Sequence, residues 1–291
     1  MNAGERLPGT PAPMHLWPTD EGLRIAADAW GDPSAPLVLL GHGGGQTRHA
    51  WRATAQELGE TGYHAVTFDL RGHGDSDWPP DGVYSLDAYI GGLQSLLRAL
   101  GGRKPVLIGA SMSAEIFLVA AGEGAVDAAA LVMVDFAPRT KEEGYERNRS
   151  FMAAHARGFA SLEEAADAIS SHRGGGARPR KLDGLAKVVR KGPDSRYYWH
   201  WDPRMLEWRE REYPTRYARM AAAARRLQAP TLLVRGGKSD VLSEEGAQEF
   251  LQLVPHAEYV HIADAGHMIA GDRNDTFGHA AADFLARALR S

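Results

Sequence analysis

The sequence predicts an α/β protein: a mostly parallel central sheet flanked by helices, with a helical lid inserted late in the chain. Three observations predict it. Short aliphatic and β-branched runs recur at 23–29, 37–40, 65–68, 106–108, 131–134, 231–234 and 258–262, and they alternate with longer helical patterns. Those longer stretches, 51–60, 86–100, 113–121, 244–253 and 276–289, carry apolar residues at three- and four-residue spacing. Each is long enough to be the crossover helix that a parallel strand pair requires. The alternation then lapses between Val134 and Thr231, where no clear strand is legible and helical stretches are rich in Arg, Glu and Ala. The expected partition is a core domain of residues 1–136 and 216–291 and a lid of residues 137–215.

Composition narrows the function classes. At 291 residues, 44% hydrophobic and 24% charged, the chain has ordinary globular composition and can bury a sizeable core. It has no cysteine, which excludes disulfides, thiol nucleophiles and thiolate metal sites but leaves the compartment open. The net charge of -4 comes from 33 basic and 37 acidic residues spread along the chain, so no nucleic-acid partner is expected. The densest basic stretch, Arg178 to Lys181 with Lys187, Arg190 and Lys191, reads as solvated surface. No apolar stretch approaches the ~20 residues that span a bilayer, and residues 1–14 contain no apolar signal core. The expectation is a cytoplasmic protein with a small-molecule substrate and no membrane partner, a homodimer being left open.

Several of the predicted strands end in a loop with chemistry in it. The run 37–40 is followed by Gly41-His-Gly-Gly-Gly45 and Gln46, and the run 65–68 by Asp69-Leu-Arg-Gly-His-Gly-Asp-Ser76. The acids and His73 in that second loop are crowded into a Gly-rich turn, where they serve turn hydrogen bonds, and no metal site is predicted. The run 106–108 leads through Gly109-Ala-Ser-Met-Ser113 directly into a helix. So tight a strand-to-helix turn strains its central residue, and the positions two before and two after must be small. Gly109 and Ser113 satisfy this around Ser111; a turn centred on Ser113 would place Glu115 at the second small position. A serine could simply cap the helix, but this geometry would also expose the Ser111 hydroxyl at the carboxyl edge of the sheet. The amides that follow would sit at a helix N-terminus, where negative charge is favoured. Asp135 directly follows 131–134, Asp240 closes the loop Arg235-Gly-Gly-Lys-Ser-Asp240 after 231–234, and His267 lies between the run 258–262 and the final helix.

With strand, turn and helix in this order, the chain resembles the α/β-hydrolase superfamily, whose elbow reads G-x-S-x-G; Ser113 replaces the last glycine. The loop at Asp69 matches the D-x-R-G-x-G-x-S segment of the same superfamily. The resemblance spans 37–134 and 231 to the C-terminus, roughly two thirds of the chain. It implies a nucleophile at Ser111, a base at His267 and an acid between them in chain order, expected at Asp240, with Asp135 the rival because some members supply the acid from that edge. It implies an oxyanion hole from the amides of Met112 and Gly44, with Gly43 as substitute donor and substrate contact. No cofactor is implied.

Competing readings fail on particular residues. A dinucleotide loop starting at Gly41 would need Gly or Ala where Gln46 stands, and a phosphate loop ending at Gly237-Lys-Ser239 would need Gly at Leu232. Dehalogenases and epoxide hydrolases of the superfamily use Asp at the elbow, against Ser111. The expected activity is cleavage of a carboxylic ester or lactone of a small hydrophobic or aromatic molecule through an acyl-enzyme. Carbon–carbon bond hydrolases and cofactor-free perhydrolases or oxygenases share the triad, and a non-catalytic ligand-binding protein could share the scaffold. In the lid, Trp199 and Trp201 are expected either to line the substrate pocket or to cement the lid to the core. His155 and His200 read as surface or pocket residues.

Overall fold

Consecutive apolar positions, as in Leu37-Val-Leu-Leu40, suit a strand that is covered on both faces. The computed structural model, which describes residues 4–172, 184–267, 269 and 274–289, realises this pattern in an eight-stranded sheet. In chain order the strands are β1 (Glu5–Arg6), β2 (His15–Pro18), β3 (Arg24–Trp30), β4 (Leu37–Gly41), β5 (His64–Phe68), β6 (Val106–Ala110), β7 (Ala130–Val134), β8 (Val189–Lys191), β9 (Tyr197–Trp199), β10 (Thr231–Gly236) and β11 (Glu258–Ile262). The large sheet has the order β11-β10-β7-β6-β4-β5-β3-β2. It is parallel from β11 to β5, and only β3 and β2 run antiparallel to their neighbours.

Strand side chains alternate between two packed layers. Val38, Leu40, Ile108, Val132 and Val234 bury against Trp51, α1 (Arg52–Glu60) and α8 (Asn274–Ala288), which contributes Phe277 and Phe284. Leu39, Leu107, Leu131, Met133 and Leu233 bury on the other side with residues of α2 (Leu86–Ala99), α3 (Met112–Gly122) and α7 (Glu244–Leu253). Ser85 and Ser243 start α2 and α7 by accepting the amides of Ala88 and Gly246 at 3.2 and 3.0 Å. The consequence for the site is that β4, β6, β7, β10 and β11 all end at one edge, and their loops gather there.

Between β7 and β10 lie α4 (Glu142–Ala154), α5 (Leu162–His172), β8, β9 and α6 (Arg204–Arg226). The expectation of no strand in this interval is corrected, because β8 and β9 pair antiparallel and β1 joins them through Glu5↔Lys191 and Arg6↔Arg190. Strands of three residues are too short to show a period, and the third strand, β1, lies some 185 positions away from β8. Part of the N-terminal segment therefore pairs with the interval expected to be lid. Likewise α6 is one 23-residue helix running through the expected boundary at 215/216, and its Arg216 pairs with the buried Glu115 of α3. Arg190 is not solvated surface: it is 2% exposed, and β8 carries it inward onto Asp75 at 3.1 Å. Arg178 to Lys181 lie outside the described residues. Among the described residues no helix is long and apolar enough to cross a membrane.

Candidate active site

Ser111 occupies the single position between β6 and α3, with φ 46 and ψ −108, a conformation that non-glycine residues rarely hold without compensation. Its amide donates to the Val134 carbonyl at 3.3 Å, and its carbonyl accepts from Glu115 N–H at 3.1 Å. The turn closes so tightly that a Cβ at Gly109 would lie 2.6 Å from the Ala114 nitrogen, which explains the glycine two positions before the serine. Ser113, where the superfamily pattern has glycine, fits over Gly41 of β4, where a Cβ would sit 2.5 Å from its Oγ. Its hydroxyl donates to the His42 carbonyl at 2.6 Å, tying the elbow helix to the loop after β4. Ser113→Ala leaves that buried carbonyl without its donor. The expected cost is about 1–3 kcal/mol, read as a lowered urea midpoint at unchanged slope; an unchanged midpoint would show the tie contributes nothing.

The acid beside His267 is Asp135, not Asp240. His267 Nδ1 lies 2.7 Å from Asp135 Oδ2. A carboxylate only accepts, so Nδ1 carries the hydrogen and Nε2 is left as the basic nitrogen. Asp135 is fully buried, with φ 50, and it also accepts from Gly236 N–H at 2.9 Å and from the Ser239 hydroxyl at 2.5 Å. Asp240 instead pairs with Arg147 of α4. The physical reason is the sheet order. Asp135 N–H donates to Val234 O at 2.7 Å, so Asp135 sits at the β7 end directly beside β10. The β10 loop turns around that carboxylate, directing Gly236 and Ser239 onto it, and has moved out to α4 by residue 240. The same loop fixes the strand of chain leading to His267, with Gly237 N–H on Ile262 O at 2.8 Å and Lys238 N–H on Ala265 O at 2.9 Å. Ser111 follows β6, the neighbour of β7, so Ser111 and Asp135 stand at adjacent strand ends. Ser111 and His267 are not hydrogen-bonded to each other in this structure; such bonds often form fully only with substrate in place.

Neither expected oxyanion donor has an acceptor among the described residues. Met112 is the first residue of α3, so its amide has no intrahelical acceptor. The Gly44 amide has no hydrogen-bond partner among the described residues, whereas Gly43 N–H donates to Gln46 Oε1 at 2.8 Å. Of the two glycines, Gly44 is thus the one with an amide to offer. A Cβ at Gly43 would come 3.5 Å from Ser111 Cβ, so the loop lies against the serine.

Residues 36–273 match the model of the alpha/beta hydrolase fold family. The chain belongs to that family. It is 30% identical over 258 residues to the esterase Rv0045c of Mycobacterium tuberculosis, covering 86% of this chain and 82% of that protein. It is 28% identical over 258 residues to a 3-hydroxybutyrate-oligomer hydrolase of Cupriavidus necator, covering 84% of this chain and 87% of that one. Among solved structures, E-2-(acetamidomethylene)succinate hydrolase superposes with a TM-score of 0.79 at 21% identity, over 94% of this chain and 99% of that one, a likeness of fold.

Around this hydrolase's strand ends, buried charge and imidazole hold the loops. Arg48, fully buried, bridges Asp28, Asp69 and Asp75 at 3.0, 2.7 and 2.9 Å. Burial raises the Asp69 carboxyl, but Arg48 beside it and the amides it accepts outweigh that and hold it at about 2. The carboxylates at Asp69, Asp75 and Asp77 are thus engaged by arginines and turn amides. His42, His73 and His200 form a buried row, with ring centroids 5.1 and 5.7 Å apart. Sequence reasoning placed His200 at the surface or in a pocket, and no local signal marks it as buried, because Gly74, to which it bonds, is 126 residues away. Trp199 and Trp201 stack at 4.8 Å and line a cavity of about 420 Å³ with Trp78, Met152, His155 and Tyr198. Trp201 also approaches the glycine loop, 3.4 Å from where a Gly45 Cβ would be.

Proposed function

We propose that this protein is a serine hydrolase that cleaves carboxylic esters of small hydrophobic or aromatic molecules, lactones included, through an acyl-enzyme. The observation that carries the reading is the hydrogen bond from the partly buried His267 to the buried Asp135, at the strand edge where the strained Ser111 opens α3 against the glycine loop. Ser111 Oγ attacks the carbonyl while His267 Nε2 takes its proton and then returns it to the departing alcohol; water repeats the sequence to release the acid. Asp135 keeps the hydrogen on Nδ1 and stabilises the imidazolium. The amides of Met112 and Gly44 receive the tetrahedral oxyanion, each worth about 3 kcal/mol in such sites. The esterase relative supports ester cleavage over carbon–carbon cleavage or peroxide chemistry with the same residues.

The cavity of about 420 Å³ has the size of a small-ligand pocket; none of Ser111, Met112, Gly44 and His267 lines it, but Trp201 and Met152, which do, reach the glycine loop at Gly45, so its tryptophans favour an apolar or planar substrate group lying beyond the serine. The test is turnover of p-nitrophenyl esters from acetate to octanoate and of an arylacetate. Trp199→Ala and Trp201→Ala are expected to lower kcat/KM for the bulky esters about tenfold or more, on the scale of one lost apolar burial, with a smaller effect on acetate. Equal losses on all esters would make the pair lid cement. A folded wild type that turns over no ester overturns the function.

A further inference from the structure

The loop that presents the Gly44 amide is all glycine from 43 to 45, so it has no side chains of its own to hold it, and Gly45 takes φ 74. Buried imidazoles restrain each of its peptide units. The peptide joining Gly43 to Gly44 is restrained at its carbonyl, which accepts from His42 Nδ1 at 2.8 Å and from Gln46 N–H at 3.1 Å. In the next peptide, Gly45 N–H points to His73 Nε2 at 3.5 Å. The third is held at the Gly45 carbonyl by His200 Nε2 at 3.1 Å. His200 is of a different origin from the other two. It follows β9, in the interval between β7 and β10, and stands between the two tryptophans that line the cavity. Its Nδ1 accepts from Gly74 N–H at 2.7 Å. An amide only donates and a carbonyl only accepts, so the ring is the neutral tautomer with hydrogen on Nε2. Burial, with Arg190 nearby adding to it, pushes its pKa down to about 3, so this tautomer persists across the working range.

We infer that His200 is a positioning residue for the oxyanion hole: through the Gly45 carbonyl it sets the glycine loop that presents Gly44 N–H, and so couples the segment after β9 to transition-state stabilisation. This rests on the reading that Gly44 is an oxyanion donor. The two nitrogens of His200 have separable partners, which makes the inference testable. In His200→Gln the amide nitrogen can take the place of Nε2 and donate to Gly45 while the Gly74 bond is lost. In His200→Asn the amide oxygen can take the place of Nδ1 and accept from Gly74, but the side chain stops short of Gly45.

Both variants are assayed with p-nitrophenyl acetate, whose small acyl group does not need the aromatic cavity, and with methylboronic acid as a tetrahedral mimic. His200→Asn is expected to lower kcat by about 10- to 100-fold with KM within about twofold, and to weaken boronate binding by a similar factor. His200→Gln is expected to stay within about threefold of wild type in both. Equal losses in the two variants, a loss confined to the Gln variant, or a loss carried by KM would each overturn the inference in favour of a purely structural anchor. Should the Asn variant not fold, the Gln variant decides alone, because a tenfold loss of kcat despite the retained donor also overturns it. Wild-type turnover in the same assay is the separate test of the hydrolase reading.

Discussion

Replacing Ser111 with alanine is expected to lower ester turnover by about six orders of magnitude, on the precedent of nucleophile removal in other serine hydrolases. The fold should survive. Alanine keeps the Cβ and therefore the same strained φ of 46, and the backbone bonds to Val134 and Glu115 do not involve the hydroxyl. What is lost is the only side-chain oxygen at the elbow's apex, and with it the covalent intermediate. The measurements are kcat for p-nitrophenyl acetate and the mass of the chain after treatment with a fluorophosphonate. The wild type should gain one adduct and the variant none. An adduct retained on Ser113 would move the nucleophile. That outcome conflicts with the geometry, because the Ser113 hydroxyl is buried and donates to the His42 carbonyl.

Asp135→Asn is the second large effect, with an expected loss of about four orders of magnitude in kcat on the precedent of the same change in serine proteases. A carboxylate can only accept, so it holds the hydrogen on His267 Nδ1 and leaves Nε2 free to take the serine proton. An asparagine has one acceptor oxygen for three donors that now converge on Asp135: Gly236 N–H, the Ser239 hydroxyl and His267. When the amide group faces the histidine, the ring adopts the other tautomer and Nε2 is no longer a base. Asp240→Asn should change kcat by less than about threefold, since Asp240, about a third exposed, pairs among the described residues with Arg147, at the surface end of the contact with α4, where an ion pair is worth little. The reverse ranking of the two variants would return the acid to Asp240.

Much of the site was legible because its signals are local. A strand, a turn with small residues two before and two after a serine, and a helix are contiguous in sequence, and their sterics alone demand the positive φ found at Ser111. The glycines at 43–45 and the histidine before the last helix are of the same kind, since each follows directly on a recognisable strand. The acid was not local. Asp135 and Asp240 both follow parallel strands, both lie between Ser111 and His267 in the chain, and β7 and β10 are neighbours in the sheet. Order and spacing cannot separate them. The path of the chain near 215/216 was not local either: α6 runs through it as one 23-residue helix, and its docking on α3 depends on Arg216 meeting Glu115.

By itself the sequence determined the parallel sheet, its flanking helices, the elbow serine and the candidate histidine, because hydrophobic period and turn sterics act over a few residues and need no partner. Only the tertiary structure decided which carboxylate meets His267, that Arg190 is buried on Asp75, that Glu5 and Arg6 pair with β8, and that His200 holds the loop of Gly44. Each of these is a hydrogen bond or ion pair between segments brought together by the fold. Their energies depend on a separation and a burial that no stretch of sequence contains.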